Sequence, residues 1–142
     1  MKIAESIISI LEKVFTPKKH LGFSRNAMPQ IEDEEQENFF KYLKSKGIRL
    51  KKTKMKIKDI TPAQKEMRAD VAKGLLTSGS PKLRKPLIVS SDNYLMDGHH
   101  RWLALRFEDE NNSVTVIKVN ERGIKLLDIM RNFGNVKYKD MT

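Results

Sequence analysis

Apolar residues recur along this chain with two different periods. A spacing of three or four residues predicts helices, and it occurs over residues 3–14, 32–46, 61–75, 102–107 and 124–130. Alternation and short apolar runs predict strands, and they occur over residues 55–60, 86–89, 94–96 and 114–119. Helical and strand segments alternate along much of the chain, which predicts a fold of the α/β (α+β) class.

Several of these boundaries carry residues with known positional preferences. Thr61 and Pro62 suit the start of a helix, because Thr caps free N–H groups and Pro leaves no N–H unpaired. Gly79 suits the end of the same helix. The stretch Thr16–Gln30 has no clear period, and irregular segments of that length in a small domain are often functional. We expect the residues from Asn132 onward to be frayed.

Composition limits the classes of protein to which the chain can belong. It has 142 residues, 28 Lys and Arg against 18 Asp and Glu, a net charge of +10, and no Cys. The lack of Cys excludes thiolate catalysis, Cys-ligated zinc and iron–sulfur clusters. No apolar run approaches the ~20 residues that span a bilayer, and residues 3–14 fit a secretory signal poorly. We expect one domain in a cytoplasmic protein without a membrane partner.

Charged residues are strongly segregated along the chain. Five acids lie within residues 32–37, at the start of a predicted helix, where they complement the helix dipole. Residues 41–58 then contain nine Lys or Arg and no acid. We interpret this basic stretch as a surface for nucleic acid or another polyanion, bound mainly through phosphate contacts; a solvated strand face is the alternative. The candidate nucleic-acid-binding residues are Lys51, Lys52, Lys54 and Lys56.

The sharpest motif is Asp-Gly-His-His-Arg at residues 97–101, between a predicted strand and a predicted helix. Free backbone N–H groups and the helix dipole make such a junction favourable for an anion. Gly98 permits the turn and the close approach of a phosphate, and Arg101 can clamp that phosphate with two hydrogen bonds. Asp97 can hold a divalent cation or cap the helix. An ordinary helix start is the alternative interpretation of the same residues.

The histidines of this motif do not lead us to predict a zinc site. His99 and His100 are consecutive, so on a helix their side chains point about 100° apart. His20 is the only other imidazole in the chain, and there is no Cys. A zinc centre would need more ligands than these residues supply.

Three segments resemble the ParB/sulfiredoxin-like superfamily: residues 55–62 (MKIKDITP), 86–89 (PLIV) and 94–104 (YLMDGHHRWLA). Members of that superfamily place an X-Gly-X-X-Arg segment, and a following helix with a small residue such as Ala104, against the phosphates of a nucleotide. The resemblance implies a compact domain with a small mixed sheet flanked by helices. It divides the chain into a helical N-terminal extension, the ParB/sulfiredoxin-like domain and a flexible tail, over residues 1–50, 51–131 and 132–142.

Departures from the superfamily pattern narrow the expected activity. Sulfiredoxins carry a catalytic Cys in this motif, so sulfinic acid reduction is excluded for this chain. Partition-type ParB proteins have Glu-Arg-Arg after the glycine and a helix-turn-helix downstream, so partitioning is not expected. The Asp-Gly-His-His-Arg form is similar to that of the free serine kinases and of small phage-encoded members. In those kinases an acid after the first strand is the base for the acceptor hydroxyl, and by position this acid is Glu66.

The resemblance implies ATP or another nucleoside triphosphate, with Mg²⁺, as the bound groups. Phosphoryl transfer needs positioning and charge neutralisation rather than a covalent intermediate. Residues assigned to the nucleotide or its phosphates are Gly98, His99, His100, Arg101 and Gln64, the first three through their backbone. Residues assigned to catalysis are Glu66 as base, Asp97 as Mg²⁺ ligand or acceptor orienter, and His100 either as a proton donor or as a group that stabilises the leaving oxygen.

Three functions remain compatible with the sequence. The first is a phosphotransferase (kinase) or NTP hydrolase acting on a hydroxyl acceptor, which can sit on a nucleic acid. The second is a ParB-like DNA-binding module with nuclease activity. The third is a non-catalytic phage or plasmid accessory protein that binds a host partner through residues 16–31.

Overall fold

A computed structural model describes residues 14–134 and 137–138 of the chain. The helices are α1 Gln36–Ser45, α2 Ala69–Ser78, α3 His99–Glu108 and α4 Gly123–Phe133. The strands are β1 Val14–Phe15, β2 Pro29–Gln30, β3 Leu50–Lys56, β4 Thr61–Pro62, β5 Met67–Arg68, β6 Leu87–Val89, β7 Tyr94–Asp97, β8 Ser113–Val119 and β9 Lys137–Tyr138. The predicted mixed α/β class is confirmed. Over the described ranges, no helix has the length and apolar character needed to cross a membrane.

Five strands form one mixed sheet in the order β3-β8-β6-β7-β4. β3 and β7 run antiparallel to their neighbours β8 and β6, whereas β8 is parallel to β6 and β4 is parallel to β7. One end of the sheet therefore collects the ends of β3, β4 and β7 and the starts of β6 and β8. We call it the Asp97 end, because β7 finishes there with Asp97 and α3 starts immediately afterwards.

Side chains that alternate along the strands divide the core between the two faces of the sheet. Leu87 of β6 belongs to a buried cluster that includes Leu103 of α3 and Ala72 of α2. The next residue, Ile88, belongs to a second cluster with Phe39 of α1 and Leu126 of α4. The sheet is thus the middle of three layers, with α2 and α3 on one face and α1 and α4 on the other.

The predicted helix over residues 61–75 is wrong in its first half. Thr61–Pro62 form β4, and α2 begins only at Ala69. The Ala63 N–H donates to the Leu95 carbonyl of β7 at 3.3 Å, so the chain here extends the sheet. Pairing with a neighbouring strand satisfies the backbone groups that a helix would have used, and it outweighs the local capping preference.

Two further predicted elements differ from the structure. The strand predicted over residues 55–60 is found earlier in the chain. In the structure β3 ends at Lys56, and Ile57–Asp59 form a short 3-10 turn. Burial of Ile57 explains the turn, since it moves this apolar side chain into the core. The predicted helix over residues 3–14 lies outside the described part of the chain except for Val14, which pairs with β5 in β1.

The segment before α1 extends the sheet beside β4 and reaches its core. Leu21 and Phe23 donate backbone hydrogen bonds to the carbonyls of Pro62 and Ala63, each at 3.2 Å. Met28 is fully buried in the cluster that contains α1 and α4. The part of the N-terminal region that the structure describes therefore packs with the rest of the domain.

The predicted tail begins inside a helix. α4 continues through Phe133 and ends at Gly134, which adopts a left-handed conformation. Lys137–Tyr138 then pair antiparallel with β2. Asn132 is therefore helical, and the α4 periodicity that predicts a helix over residues 124–130 extends three residues further.

Replacement of a buried side chain of α3 should cost much more stability than replacement of an exposed apolar one. Leu103 is fully buried, whereas Ile124 on α4 is 59% exposed. We expect Leu103→Ala to lower the free energy of unfolding by about 2–5 kcal/mol, and Ile124→Ala by less than about 0.5 kcal/mol. Urea denaturation followed by circular dichroism measures both; equal losses would contradict the layered core described above.

Candidate active site

Gly98 joins β7 to α3 through a conformation that other residues rarely adopt. Its φ is +93°, and a Cβ at this position would lie 2.7 Å from both Leu87 Cδ2 and Arg101 Nη2. Gly98 occupies the N-cap position of α3 and has no side chain with which to cap the first turn. The backbone N–H groups of that turn and the positive end of the helix dipole therefore form the anion-favouring junction that the sequence predicts.

The imidazole of His99 is buried and acts as a double acceptor. His99 is 4% exposed, and its Nε2 accepts hydrogen bonds from the N–H groups of Ala63 at 3.1 Å and Gln64 at 3.2 Å. Burial, together with the charge of the neighbouring His100, lowers the pKa of His99 to about 3. A protonated Nε2 has no lone pair to accept these bonds, so the neutral ring is the form that supports the structure.

His100 anchors the far end of the same loop. Its Nε2 accepts a hydrogen bond from the Arg68 N–H at 3.1 Å. Two consecutive side chains of α3 thus hold both ends of residues 63–68 against the first turn of the helix. Because this Nε2 is an acceptor here, it carries no proton. Proton donation from this nitrogen, one of the two catalytic roles predicted for His100, does not fit the arrangement.

The loop at residues 63–68, held by these histidines, carries two of the predicted site residues. Gln64 is 1% exposed, and its side-chain Oε1 has no hydrogen-bond partner among the residues that the structure describes. Glu66 is half-buried and lies between β4 and β5. A buried acceptor without a donor is unfavourable unless a water or a ligand supplies one. The structure therefore brings both residues to the start of α3, although in a loop rather than on the predicted helix.

The carboxylate of Asp97 is buried beside an arginine. Asp97 is 5% exposed, and Arg101 Nη2 lies 3.4 Å from its Oδ2. Burial raises the pKa of Asp97 to about 6, although the Arg101 charge and the Ile31 backbone N–H lower it. Desolvation thus outweighs the ion pair. Perturbed carboxylates of this kind concentrate at functional sites, although structural ion pairs also produce them.

The guanidinium of Arg101 lies close to Gly98 and is engaged with its own chain. Nη1 donates to the carbonyls of Lys85 at 3.1 Å and Pro86 at 3.4 Å, and Nη2 donates to Asp97. The Arg101 side chain is 12% exposed. The residue predicted to clamp a phosphate therefore lies at the start of α3, with three protein acceptors around its guanidinium.

An acidic side chain reaches this cluster from the segment before α1. Asp33 accepts a hydrogen bond from Lys85 Nζ at 2.8 Å. This bond lowers the pKa of Asp33, and the charges of Lys82 and Arg101 lower it further. From the sequence, Asp33 is predicted only to interact favourably with a helix dipole. No periodic pattern relates it to Lys85, which is 52 positions away.

The metal-binding role predicted for Asp97 has little support from other protein ligands. Within residues 14–134 and 137–138, no group of three or more His, Cys, Asp or Glu side chains can hold a metal ion. Mg²⁺ commonly binds through one or two carboxylates together with phosphate oxygens and water. A single buried carboxylate fits that kind of site and does not fit an all-protein metal centre.

The predicted nucleic-acid-binding lysines lie apart from this cluster. Lys51, Lys52, Lys54 and Lys56 are all exposed on β3, which is an edge strand of the sheet. The strand runs toward the Asp97 end, so its last lysine lies at the same end of the sheet as the start of α3.

Comparisons of this chain with protein-family models, with curated proteins and with solved structures find no match. The resemblance to the ParB/sulfiredoxin-like superfamily therefore rests on the three segments of this chain that carry it. The functional interpretation rests on the same segments and on the geometry of the site.

Gly98→Ala should be more damaging than the same change at another glycine with a positive φ. Gly47 has a φ of +76° and no atom within 4 Å of the position of a Cβ, so Gly47→Ala introduces backbone strain of about 1 kcal/mol. Gly98→Ala adds the contacts with Leu87 and Arg101 and should cost about 1–3 kcal/mol more. Urea denaturation measures both. Equal costs would show that the start of α3 is not closely packed.

Asp97→Asn should make the stability of the protein more sensitive to acid. The folded pKa of Asp97 is about 6, above the unfolded value of about 4, so its contribution to stability falls as pH rises from 4 to 6. The folded pKa of His99 is about 3, below the unfolded value of about 6.5, so its contribution falls as pH drops from 6.5 to 3. The two slopes oppose each other in the native protein.

Removal of the Asp97 titration leaves the His99 slope uncompensated. Between pH 6 and pH 4, we expect Asp97→Asn to lose about 1 kcal/mol more per pH unit than the native protein. Urea denaturation at closely spaced pH values measures this difference, with Asp109→Asn as a control on the surface. Parallel pH profiles for all three proteins would contradict the raised pKa of Asp97.

Proposed function

We propose that this protein binds the phosphates of a nucleoside triphosphate at the start of α3 and transfers the terminal phosphoryl group to a hydroxyl or to water. The observation that carries the proposal is the uncapped first turn of α3 behind Gly98, with the Arg101 guanidinium beside it. Backbone N–H groups and a guanidinium suit the charge and geometry of a phosphate.

Gln64 and Glu66 supply groups for the acceptor in this proposal. The Gln64 Oε1 lacks a donor among the described residues, and a second hydroxyl of the acceptor, other than the reacting one, would provide it. Glu66 lies in the loop that His99 and His100 hold against α3, and a carboxylate in this position suits a general base. The resemblance to the free serine kinases supports the same assignment for Glu66.

The reaction then needs no covalent enzyme intermediate. Glu66 accepts the proton of the hydroxyl, whose oxygen bonds to the γ-phosphorus while the bond to the bridging oxygen breaks and the nucleoside diphosphate leaves. Arg101 and the first-turn N–H groups stabilise the charge of the transferring group. Mg²⁺ would neutralise part of the phosphate charge, with Asp97 as its protein ligand.

Two of the three contacts of Arg101 are long enough for it to exchange partners, and the third, with the Lys85 carbonyl, is an ordinary hydrogen bond of 3.1 Å that can remain. Its Nη2 lies 3.4 Å from Asp97, whereas a strong hydrogen bond between charged groups measures about 2.7–2.9 Å. Its contact with the Pro86 carbonyl is equally long. A phosphate at the start of α3 offers the guanidinium shorter, bidentate contacts, and Mg²⁺ at Asp97 would replace the charge that the arginine gives up.

Nucleoside triphosphates with Mg²⁺ should stabilise the protein through Arg101. At saturating ATP, CTP or GTP we expect at least one to add about 2 kcal/mol or more to the free energy of unfolding, measured as a rise in melting temperature. Arg101→Lys keeps the charge but loses the bidentate geometry, and should remove most of the shift. Arg84→Lys is the matched control, because that side chain is 60% exposed and pairs with Glu108.

Two further results decide the proposal. Glu66→Gln should keep the nucleotide-induced shift and lose phosphoryl transfer, because the base is removed and the phosphate contacts remain. No shift with any nucleotide, or equal shifts in Arg101→Lys and the native protein, would rule out the phosphate site at α3.

A further inference from the structure

A row of lysines on β3 shares one face of the sheet. Leu50 at the start of the strand packs against the buried cluster of α1 and α4. Side chains two positions apart lie on the same face of a strand, so Lys52, Lys54 and Lys56 follow Leu50 on that face, and all three are exposed. Lys51 lies on the opposite face.

Strand register connects this lysine face with the candidate active site. Lys52 pairs with Ile117, Ile117 pairs with Ile88, and Ile88 pairs with Asp97. Three strand spacings of about 4.8 Å separate the first and last of these positions, or about 14 Å. Lys54 lies nearer to the Asp97 end of the sheet, because β3 runs toward that end.

Polar and positive groups continue inward from the edge strand. Lys54 is paired with Thr115 and Lys56 with Ser113. The same two β8 residues line a groove of about 140 Å³, whose other lining residues are Leu83, Arg84, Lys85, Leu105 and Val114. The Lys85 carbonyl accepts a hydrogen bond from Arg101. The lysine face, the groove and the start of α3 thus form one connected strip.

The extent of this strip indicates binding of a polyanion. Lysines on an edge strand can serve only to prevent pairing with other chains, but that role does not require hydroxyl side chains beside them on the adjacent strand β8. Lysines two residues apart along a strand repeat every ~6.8 Å, which suits a polymer with regularly spaced anions. No aromatic residue occurs in β3 or β8, so stacking on bases is not the mode of contact.

We propose that the lysine face binds nucleic acid through its phosphodiester backbone and brings a hydroxyl of that nucleic acid to Glu66. This inference rests on the proposed phosphoryl transfer and names its acceptor class. The γ-phosphoryl group passes from the nucleoside triphosphate to the nucleic-acid hydroxyl, the hydroxyl proton passes to Glu66, and the nucleoside diphosphate leaves. Binding is independent of base sequence and weakens steeply with salt.

Two matched double variants test the surface. Lys54→Gln/Lys56→Gln removes two charges from the lysine face, and Lys18→Gln/Lys19→Gln removes two exposed charges from the segment before Leu21, at the opposite edge of the sheet. Fluorescence anisotropy with labelled single-stranded DNA and RNA oligonucleotides measures affinity at several salt concentrations. We expect the first variant to bind about tenfold more weakly, with a salt slope smaller by about two, and the control to stay within about twofold.

A label-transfer assay tests the acceptor. With γ-labelled ATP, Mg²⁺ and the same oligonucleotides, the native protein should label the nucleic acid, and Lys54→Gln/Lys56→Gln should lose most of this labelling while its nucleotide-induced thermal shift stays unchanged. Glu66→Gln should lose labelling and keep oligonucleotide binding.

Other outcomes overturn the inference at separate points. Equal weakening in both lysine variants, or equal competition by polyglutamate, would reject the lysine face as a nucleic-acid surface. Binding through Lys54 and Lys56 without label transfer would reject the acceptor assignment. A missing thermal shift with nucleotides would instead reject the phosphate site at α3, and the anisotropy result would still decide whether the face binds nucleic acid.

Discussion

The candidate site depends on one buried, neutral imidazole. His99 accepts hydrogen bonds from two backbone N–H groups of the loop after β4, and burial keeps its ring unprotonated. Without this acceptor, the N–H of Gln64 would lose its hydrogen bond inside the protein, which is costly. These two hydrogen bonds hold the start of the loop that carries Glu66 against the first turn of α3. His99 is therefore a positioning residue, and the proposed chemistry is assigned to its neighbours.

Near His99 lie buried polar groups that do not favour the stability of the folded protein. Asp97 is buried beside an arginine at a distance too long for a strong ion pair, and the side-chain oxygen of Gln64 lacks a donor. Buried groups that are incompletely paired lower stability unless a bound partner completes them. Both lie next to the first turn of α3. Their shared location, more than either residue alone, argues that a ligand belongs at this end of the sheet.

Sequence patterns predicted the features that depend on neighbouring residues. The β6–β7 pair, the glycine turn and the start of α3 are local, and each agrees with the structure. The helix predicted from Thr61 failed because the backbone of Ala63 bonds to β7 and to an imidazole 36 positions later, which no local pattern reveals. The Asp33 contact with Lys85 was missed for the same reason. The role of Glu66 came from the resemblance and that of Arg101 from the motif itself, and the activity of both remains a proposal.

The hydrogen bonds of the two histidines also determine how the site can open. The amide hydrogens of Gln64 and Arg68 are bound to side-chain nitrogens of α3, so their exchange with solvent requires an imidazole to leave its place. Both imidazoles belong to the first turn of that helix. Local unfolding of the loop that carries Glu66 is therefore coupled to fraying of α3. A phosphate bound to the first turn of the helix would suppress both the unfolding of the loop and the fraying of the helix through the same contacts.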